Sequence, residues 1–521
     1  MRNNEKERLD LAAVRARLQK DGGQRYWQSL EELAETQEYK DFLHHEFPYD
    51  PEKSNHNVSR RDALKFMAAS AAFAGLTACT KLPTEKIVPY VQAPEEIVPG
   101  KPLFYATSMP LSGIATGVLV ESHMGRPTKI EGNPDHPASL GAADAFAQAS
   151  ILMLYDPDRP QVVTHQGQIS TWSAFLDALS TVRAEQQVKK GMGLRILTET
   201  ITSPSLADQL QSLLKQFPQA KWHQYEPAGR DAAREGSRLA FGQYVNTYYR
   251  FDRADVILAL DSDFLCYGPG SLRYAHDFAD KRRIVDAQST MNRLYVVEST
   301  PSNTGAMADH RWPLRPSEIE TFARAVAQQL GVAAGAGGKT APANIPADWI
   351  PALARDLQNH RGSSVVIAGD EQPPAVHALA HAINQTLGNV GKTVIYTDSV
   401  EAYPVDQTQS LAELASDIRA GSVDTLVIIG GNPIYNAPAD FELRKLFFPD
   451  PTGPDQPHPP SKIKLKIHLS SYNNETSELC DWHIPEAHYL ESWGDARAYD
   501  GTVSIIQPLI SPLYDGKSAH E

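Results

Sequence analysis

From about residue 150 onward, short apolar runs rich in Val and Ile alternate with stretches whose apolar positions repeat at helical spacing. The runs are 194–198, 255–261, 293–298, 364–369, 393–397, 425–430 and 465–469, and 318–330 and 375–387 are among the helical stretches between them. A strand that is apolar on both faces has helices above and below it, so the alternation predicts an α/β body of several parallel-sheet units over 151–521. Residues 104–150 read differently. Residues 117–122 and 127–134 have strand character, and His123-Met124-Gly125-Arg126 joins them as a hairpin loop, which predicts a small β-rich subdomain.

Upstream, residues 80–103 carry Pro83, Pro89, Pro94, Pro99 and Pro102 among charges and read as an extended tether. In 58–79, Ser59-Arg60-Arg61-Asp62-Ala63-Leu64-Lys65 precedes a short, weakly apolar core, the layout of a twin-arginine export signal with Arg60 and Arg61 as the pair. Ala63 stands where a Phe is often found. Leu76-Thr77-Ala78-Cys79 then matches a lipobox, with Cys79 as the acylated residue. The same residues admit a plainer reading, an Arg-capped internal helix followed by a buried cysteine. The apolar stretch 66–78 is interrupted by Ser70, Gly75 and Thr77 and falls short of the roughly 18 to 20 residues that span a bilayer. Residues 1–57 form a long leader with Trp27, Leu30, Leu33, Phe42, Leu43 and Phe47 as apolar positions among acids. The expected location is exported, at the periplasmic face of the bacterial inner membrane. A single lipid holds a protein only marginally, so a membrane partner or further acylation is expected as well.

The chain has 521 residues, 41% hydrophobic and 21% charged, which is ordinary for globular domains. A net charge of −14 argues against a general nucleic-acid binder, because such proteins neutralise many phosphates with a basic face. The same acidity favours partners with basic faces, such as some cytochromes. Three cysteines, Cys79, Cys266 and Cys480, form no CxxC, so this chain alone holds neither a four-thiolate iron-sulfur cluster nor a c-type haem. Cys266 reads as a small buried apolar side chain. His483 and His488 flank an Ile-Pro-Glu-Ala turn without an evident third ligand, and no metal site is expected there. Arg126, Asp135 and His136 read as residues that hold the hairpin loops. No nucleophile–base pair can be defended from spacing, so no catalytic residue is assigned. Residues 331–344 and 449–461 have little to bury and read as irregular insertions, and the C-terminus is polar after Tyr514 with no obvious closing element.

Several segments carry a resemblance. Gly117-Val118-Leu119-Val120-Glu121, Gly125-Arg126-Pro127-Thr128-Lys129-Ile130-Glu131-Gly132-Asn133-Pro134-Asp135-His136-Pro137 and Gly141 together resemble the N-terminal domain of molybdopterin-dependent oxidoreductases. The segment 249–265 resembles the strand and loop that pass the cofactor in those enzymes, Ile429-Gly430-Gly431-Asn432-Pro433 resembles their GxNP turn, and 481–495 resembles a late segment of the same family. The match covers most of 104–510 and implies that family's fold. It departs where the chemistry belongs: the cysteines that hold a cluster in family members are absent from 104–113 and 141–145. The resemblance therefore implies a vestigial pterin loop at Gly430, Gly431, Asn432 and Pro433 and no redox cofactor in this chain.

The extended leader, the lipobox and a cluster-free molybdopterin-like body together resemble the B subunit of alternative complex III, a membrane quinol oxidoreductase of bacterial respiration. That family carries its iron-sulfur clusters in a ferredoxin-like half following the molybdopterin-like one, and this sequence ends before such a half. The resemblance implies a short or truncated version of that subunit. Its implied partners are an iron-sulfur half or subunit, a multihaem cytochrome and integral membrane quinol-binding subunits. Two further readings stay open: a working molybdopterin enzyme without the cluster, and an exported lipoprotein binding module with no redox partner.

Overall fold

The computed structural model describes residue 98 and residues 100–521, apart from 288, 334–341, 343 and 452–458. Arg60, Arg61, Cys79, the leader and nearly all of the tether lie outside the described residues.

The first strands are β1 (Leu103–Leu111), β2 (Ile114–His123) and β3 (Arg126–Gly132), an antiparallel meander. The expected hairpin is β2–β3; β1 begins at the end of the stretch read as a tether. Helix α1 (Ala145–Leu154) covers one face, burying Ala147, Ile151 and Leu154 against Met109, Val118, Val120 and Ile130. Asp144 caps it by accepting the Ala147 N–H at 2.7 Å, satisfying one of the free donors of the first turn.

The strands that follow are β4 (Thr164–His165), β5 (Gln168–Ile169), β6 (Leu194–Thr198), β7 (Lys221–Gln224), β8 (Val245–Tyr249), β9 (Val256–Leu260), β10 (Arg293–Glu298), β11 (His310–Pro313), β12 (Ser364–Ala368), β13 (Val394–Asp398), β14 (Thr425–Ile429), β15 (Leu465–Ser470), β16 (Trp482–Pro485), β17 (Gly494–Arg497) and β18 (Val503–Ile506). They build two larger sheets. A seven-stranded sheet runs β5-β4-β16-β15-β14-β6-β7, with β7, β6, β14, β15 and β16 parallel. A four-stranded parallel sheet runs β11-β10-β9-β12. Six of the seven predicted runs are strands of these sheets.

The seventh, 393–397, is not the buried parallel strand expected. Its residues form β13, paired antiparallel with β8 in a separate two-stranded ribbon, and only Val394 of the strand is fully buried. The short apolar run carries no direction of pairing, which the ribbon partner supplies.

Helices α2 (Trp172–Val188), α3 (Pro204–Gln216), α4 (Asp231–Phe241), α5 (Ser271–Asp280), α6 (Pro316–Gln329), α7 (Trp349–Asn359), α8 (Pro374–Thr386) and α9 (Gln407–Arg419) complete the layers. On α6, Ile319, Phe322, Ala323, Val326 and Ala327 are buried at i, i+3, i+4, i+7 and i+8, and α8 repeats the pattern with Val376, Leu379, Ala380 and Ile383. These faces pack on β9 and β12, every residue of which is buried. Each fully buried Leu, Ile or Phe there contributes about 1.5–3 kcal/mol relative to exposure.

The C-terminal stretch does have a closing element. Ala487 N–H donates to Lys517 O at 2.9 Å and Lys517 N–H to Pro485 O at 2.9 Å, which lays the last residues beside the end of β16. Before that, β17 and β18 form a hairpin, and Thr107 exchanges two hydrogen bonds with the Gln507 backbone at 3.1 and 2.9 Å. The meander is thereby stitched to residues four hundred positions away.

Candidate functional site

In an open parallel sheet, ligands bind beyond the carboxyl ends of the strands, where the strand order reverses. In the seven-stranded sheet that point lies between β6 and β14. The Gly430-Gly431-Asn432-Pro433 turn, singled out from the sequence, stands there at the end of β14. Gly430 and Gly431 have φ of +72° and +70°, the left-handed region that glycine enters without strain. Asn432 is fully engaged within the chain: its Oδ1 accepts the Thr476 N–H and hydroxyl at 3.2 and 2.8 Å, and its Nδ2 donates to Glu475 at 2.6 Å. Pro433 opens a short helix, 433–436. The four residues thus sit together at the strand-order reversal, with Asn432 already spent on the neighbouring turn.

Facing the turn is Glu199, the residue after β6. A methyl group on Gly430 would lie 2.7 Å from Glu199 Oε2, and one on Gly431 would lie 3.4 Å from its Cγ. The carboxyl therefore occupies the space that the two glycines open. What is left between Leu197, Glu199, Tyr225 and the turn is a cavity of about 10 Å³, room for roughly one water. Burial pushes the Glu199 carboxyl up to about 8; the charges of Glu226 and Glu486 add to this, and the Gly431 N–H works against it. Burial likewise raises Glu226, whose Oε1 accepts the Thr200 N–H at 3.0 Å, and raises Glu486 to about 7 against a hydrogen bond from Ser471. All three acids follow the carboxyl ends of strands, β6, β7 and β16. Sequence reasoning passed over Glu199 and Glu226; the available signal was an acid one or two residues past a strand, on the edge where ligands bind.

The four-stranded sheet has its reversal between β9 and β12. Asp261, after β9, has φ +51°, and its carboxylate accepts the Ser299 N–H at 2.7 Å and the Gln372 amide at 2.8 Å. Gly369, after β12, approaches so closely that a methyl group would lie 1.9 Å from the Asp261 carbonyl oxygen. Asp263 caps the next turn through the Thr304 N–H and hydroxyl. This lies in the 249–265 segment, where Asp261 and Asp263 are used to tie the ends of neighbouring elements together.

The group implied by the resemblance, a pterin guanine dinucleotide, carries an anionic pyrophosphate. The residues present do not fit it: the cradle beside Gly430 and Gly431 is filled by a carboxyl, and the amide of Asn432 is committed elsewhere. An anion entering there would have to displace Glu199 and would further disfavour ionisation of Glu226 and Glu486.

The remaining candidates are scattered. His483 bonds Ser470 Oγ at 3.1 Å, and His488 bonds the Ser150 carbonyl at 3.1 Å while its Nδ1 accepts the Leu490 N–H; burial lowers both to about 4. Among the described residues, no group of three or more His, Cys, Asp or Glu side chains is arranged to hold a metal ion. Arg126 lies over the Tyr155 ring at 4.7 Å, the Asp135 N–H donates to Asn133, and His136 reaches Ser504 Oγ at 2.9 Å, so these residues brace the β-rich subdomain. Cys266 is exposed, contrary to the expectation of a buried side chain, because it lies six residues past β9 on a surface loop. Cys480 is buried, and burial raises its thiol to about 12. Among the described residues no helix is long and apolar enough to cross a membrane.

Comparison with known proteins is consistent with this architecture. No family model matches the chain. The chain is 24% identical over 469 residues to the menaquinone reductase, molybdopterin-binding-like subunit of Nitratidesulfovibrio vulgaris, covering 81% of this chain. It spans 64% of the length of that relative. Among solved structures it is similar to acetylene hydratase from Pelobacter acetylenicus, with a TM-score of 0.55 and 13% identity over 79% of this chain and 67% of the other. The chain has a molybdopterin-oxidoreductase-like α/β fold.

Proposed function

We propose that this protein is a subunit of a membrane-bound respiratory quinone oxidoreductase and serves as a scaffold with no redox cofactor of its own. The observation that carries the reading is the Glu199 carboxyl filling the cradle beside Gly430 and Gly431, in a chain related to a menaquinone reductase subunit. The scarcity of thiols supports it, since Cys266 and Cys480 cannot hold a cluster between them. In this reading the α/β body binds an iron-sulfur half or subunit, a multihaem cytochrome and integral membrane quinol-binding subunits, as in alternative complex III. The twin-arginine pair Arg60-Arg61 exports the chain to the periplasmic face of the inner membrane, and Cys79 anchors it through lipid.

A catalytic molybdopterin enzyme is the second reading, favoured by the position of Gly430-Gly431-Asn432-Pro433 at the reversal between β6 and β14. Metal analysis of the purified protein, with pterin fluorescence after oxidation, separates the two. Neither molybdenum nor tungsten, together with co-purifying haem and iron-sulfur proteins, is the outcome expected of a scaffold. Either metal in stoichiometric amount overturns it. For the anchor, a Cys79→Ala chain expressed without its partners is expected to leave the membrane fraction, and retention there would remove the lipid from the scheme.

A further inference from the structure

Helix α1 (Ala145–Leu154) has the sequence AFAQASILML, ten residues without a charge. One face is buried on the meander. The opposite face leaves Phe146 67% exposed, Leu152 71% and Met153 40%, with Gln148 and Ala149 between them. A surface helix ordinarily carries charged and polar residues outward, whereas this face has Gln148 as its one exposed polar residue among large apolar ones. The exposed positions 146, 149 and 153 follow i, i+3, i+7, the spacing by which a helix seats in a groove.

Charge indicates what seats there. Asp144 stands at the N-terminus of α1, and Asp156 and Asp158 stand just beyond its C-terminus. Arg159 is buried and committed to Glu491 and to the Leu154 carbonyl at the helix end, and Arg126, over the Tyr155 ring, is an exposed cation near it. With acids at both ends, pairing α1 with α1 of a second copy brings carboxylates together in either direction. An anionic lipid surface meets the same repulsion.

We propose that the exposed face of α1 is an interaction surface for another protein subunit, which receives Phe146, Leu152 and Met153 in an apolar groove rimmed by Lys or Arg. This inference rests on the subunit reading above. The helix is about 15 Å long, so it anchors a wider contact and does not form the whole of one.

Hydroxyl-radical footprinting tests it, on the full chain alone and on the chain within the complex isolated from membranes in mild detergent. In the free chain, Phe146, Leu152 and Met153 are expected to label as exposed side chains of their own type do, with the exposed Met291 and Met307 as references. In the complex, their labelling falls about fivefold or more while at least one of the two reference methionines stays reactive. Leu152→Glu, at an exposed position, is expected to keep the thermal midpoint of the chain and lose co-isolation of the partner; Asp158→Lys is expected to weaken it in a salt-dependent way. Undiminished labelling in the complex, or normal co-isolation by the Leu152→Glu chain, overturns the proposal and leaves the subunit reading standing. So does protection already present in the free chain, or produced by concentrating it or by adding phosphatidylethanolamine–phosphatidylglycerol vesicles. A chain that leaves the membrane with no partner overturns both readings.

Discussion

The side chain of Asn384 completes the outer edge of β12 at Val366. Its Oδ1 accepts the Val366 N–H at 3.0 Å and its Nδ2 donates to the Val366 carbonyl at 2.7 Å, with the residue 1% exposed. β12 ends the four-stranded sheet, so these backbone groups have no neighbouring strand, and the helix α8 supplies one amide in place of it. Asn389 extends the arrangement, donating to Asn384 and accepting from Ser364.

Asn384→Asp is nearly isosteric but turns the donor toward the Val366 carbonyl into a second acceptor. It is expected to cost about 2–4 kcal/mol, because a buried carbonyl loses its partner and faces a buried carboxyl. Denaturant unfolding measures this as a lower midpoint at unchanged slope. A loss under about 0.5 kcal/mol would mean the edge has another source of hydrogen bonds.

Arg159 and Glu491 form an ion pair at 2.6 Å with side chains 4% and 1% exposed. Burial opposes the ionised Glu491, yet hydrogen bonds from Arg159 and from the Leu513 and His488 N–H groups hold its carboxyl below the ordinary value. Arg159→Met strands that carboxylate and is expected to destabilise by about 3–5 kcal/mol, whereas the double variant Arg159→Met/Glu491→Gln recovers part of the loss. A double variant no better than the single one counts against this account.

The carboxyls at the reversal point set a direction for pH dependence. An unfolded Glu loses its proton near 4.5, while Glu199 keeps its proton to about 8 and Glu486 to about 7 in the folded chain. The folded state therefore binds more protons over that interval. The contribution of these two acids is complete below about 4.5 and is lost as pH rises through their folded values. On the acid side, burial lowers His468, His483 and His488 to about 4, so their neutral forms cost stability as pH falls below 6.5. Unfolding midpoints recorded from about pH 5 to 9 are expected to decline toward pH 8 in the parent chain and to decline less in Glu199→Gln. Parallel curves would exclude Glu199 as the source.

Gly430→Ala meets two obstacles, a φ of +72° and contact with Glu199 Oε2. A cost of about 1–3 kcal/mol is expected. Adding Glu199→Ala is expected to return only the contact part, since the backbone strain remains. Measured as a thermodynamic cycle, a coupling near zero would show that the carboxyl and the turn do not touch in solution.

Most of the α/β body was readable because its strands are continuous apolar runs and its helices keep a strict stripe. Val256–Leu260 and the α6 face from Ile319 to Ala327 owe their burial to that pattern alone. β1 was missed because Thr107 and Ser108 interrupt its apolar residues; Thr107 is engaged by Gln507 at the distant end of the chain, which no local window contains. The glycine turn was legible as a turn, and it stands at the carboxyl end of β14. Glu199 was not, because an acid after a strand is ordinary in sequence and becomes informative only when β14 is set beside β6. Cys266 was misjudged for a related reason: residue type favours burial, and loop position overrides it.

The bonds between Thr107 and Gln507 bear on how the molecule is made. Because synthesis runs from the amino end, the meander emerges early with half its covering absent, and Leu490, Leu509 and Ile510 arrive only when translation is nearly over. Contacts so remote in sequence form slowly, after a large loss of chain freedom. In the interval, Met109, Val118 and Val120 have only α1 over them, and a nascent chain halted before residue 490 is expected to be a client for holdase chaperones.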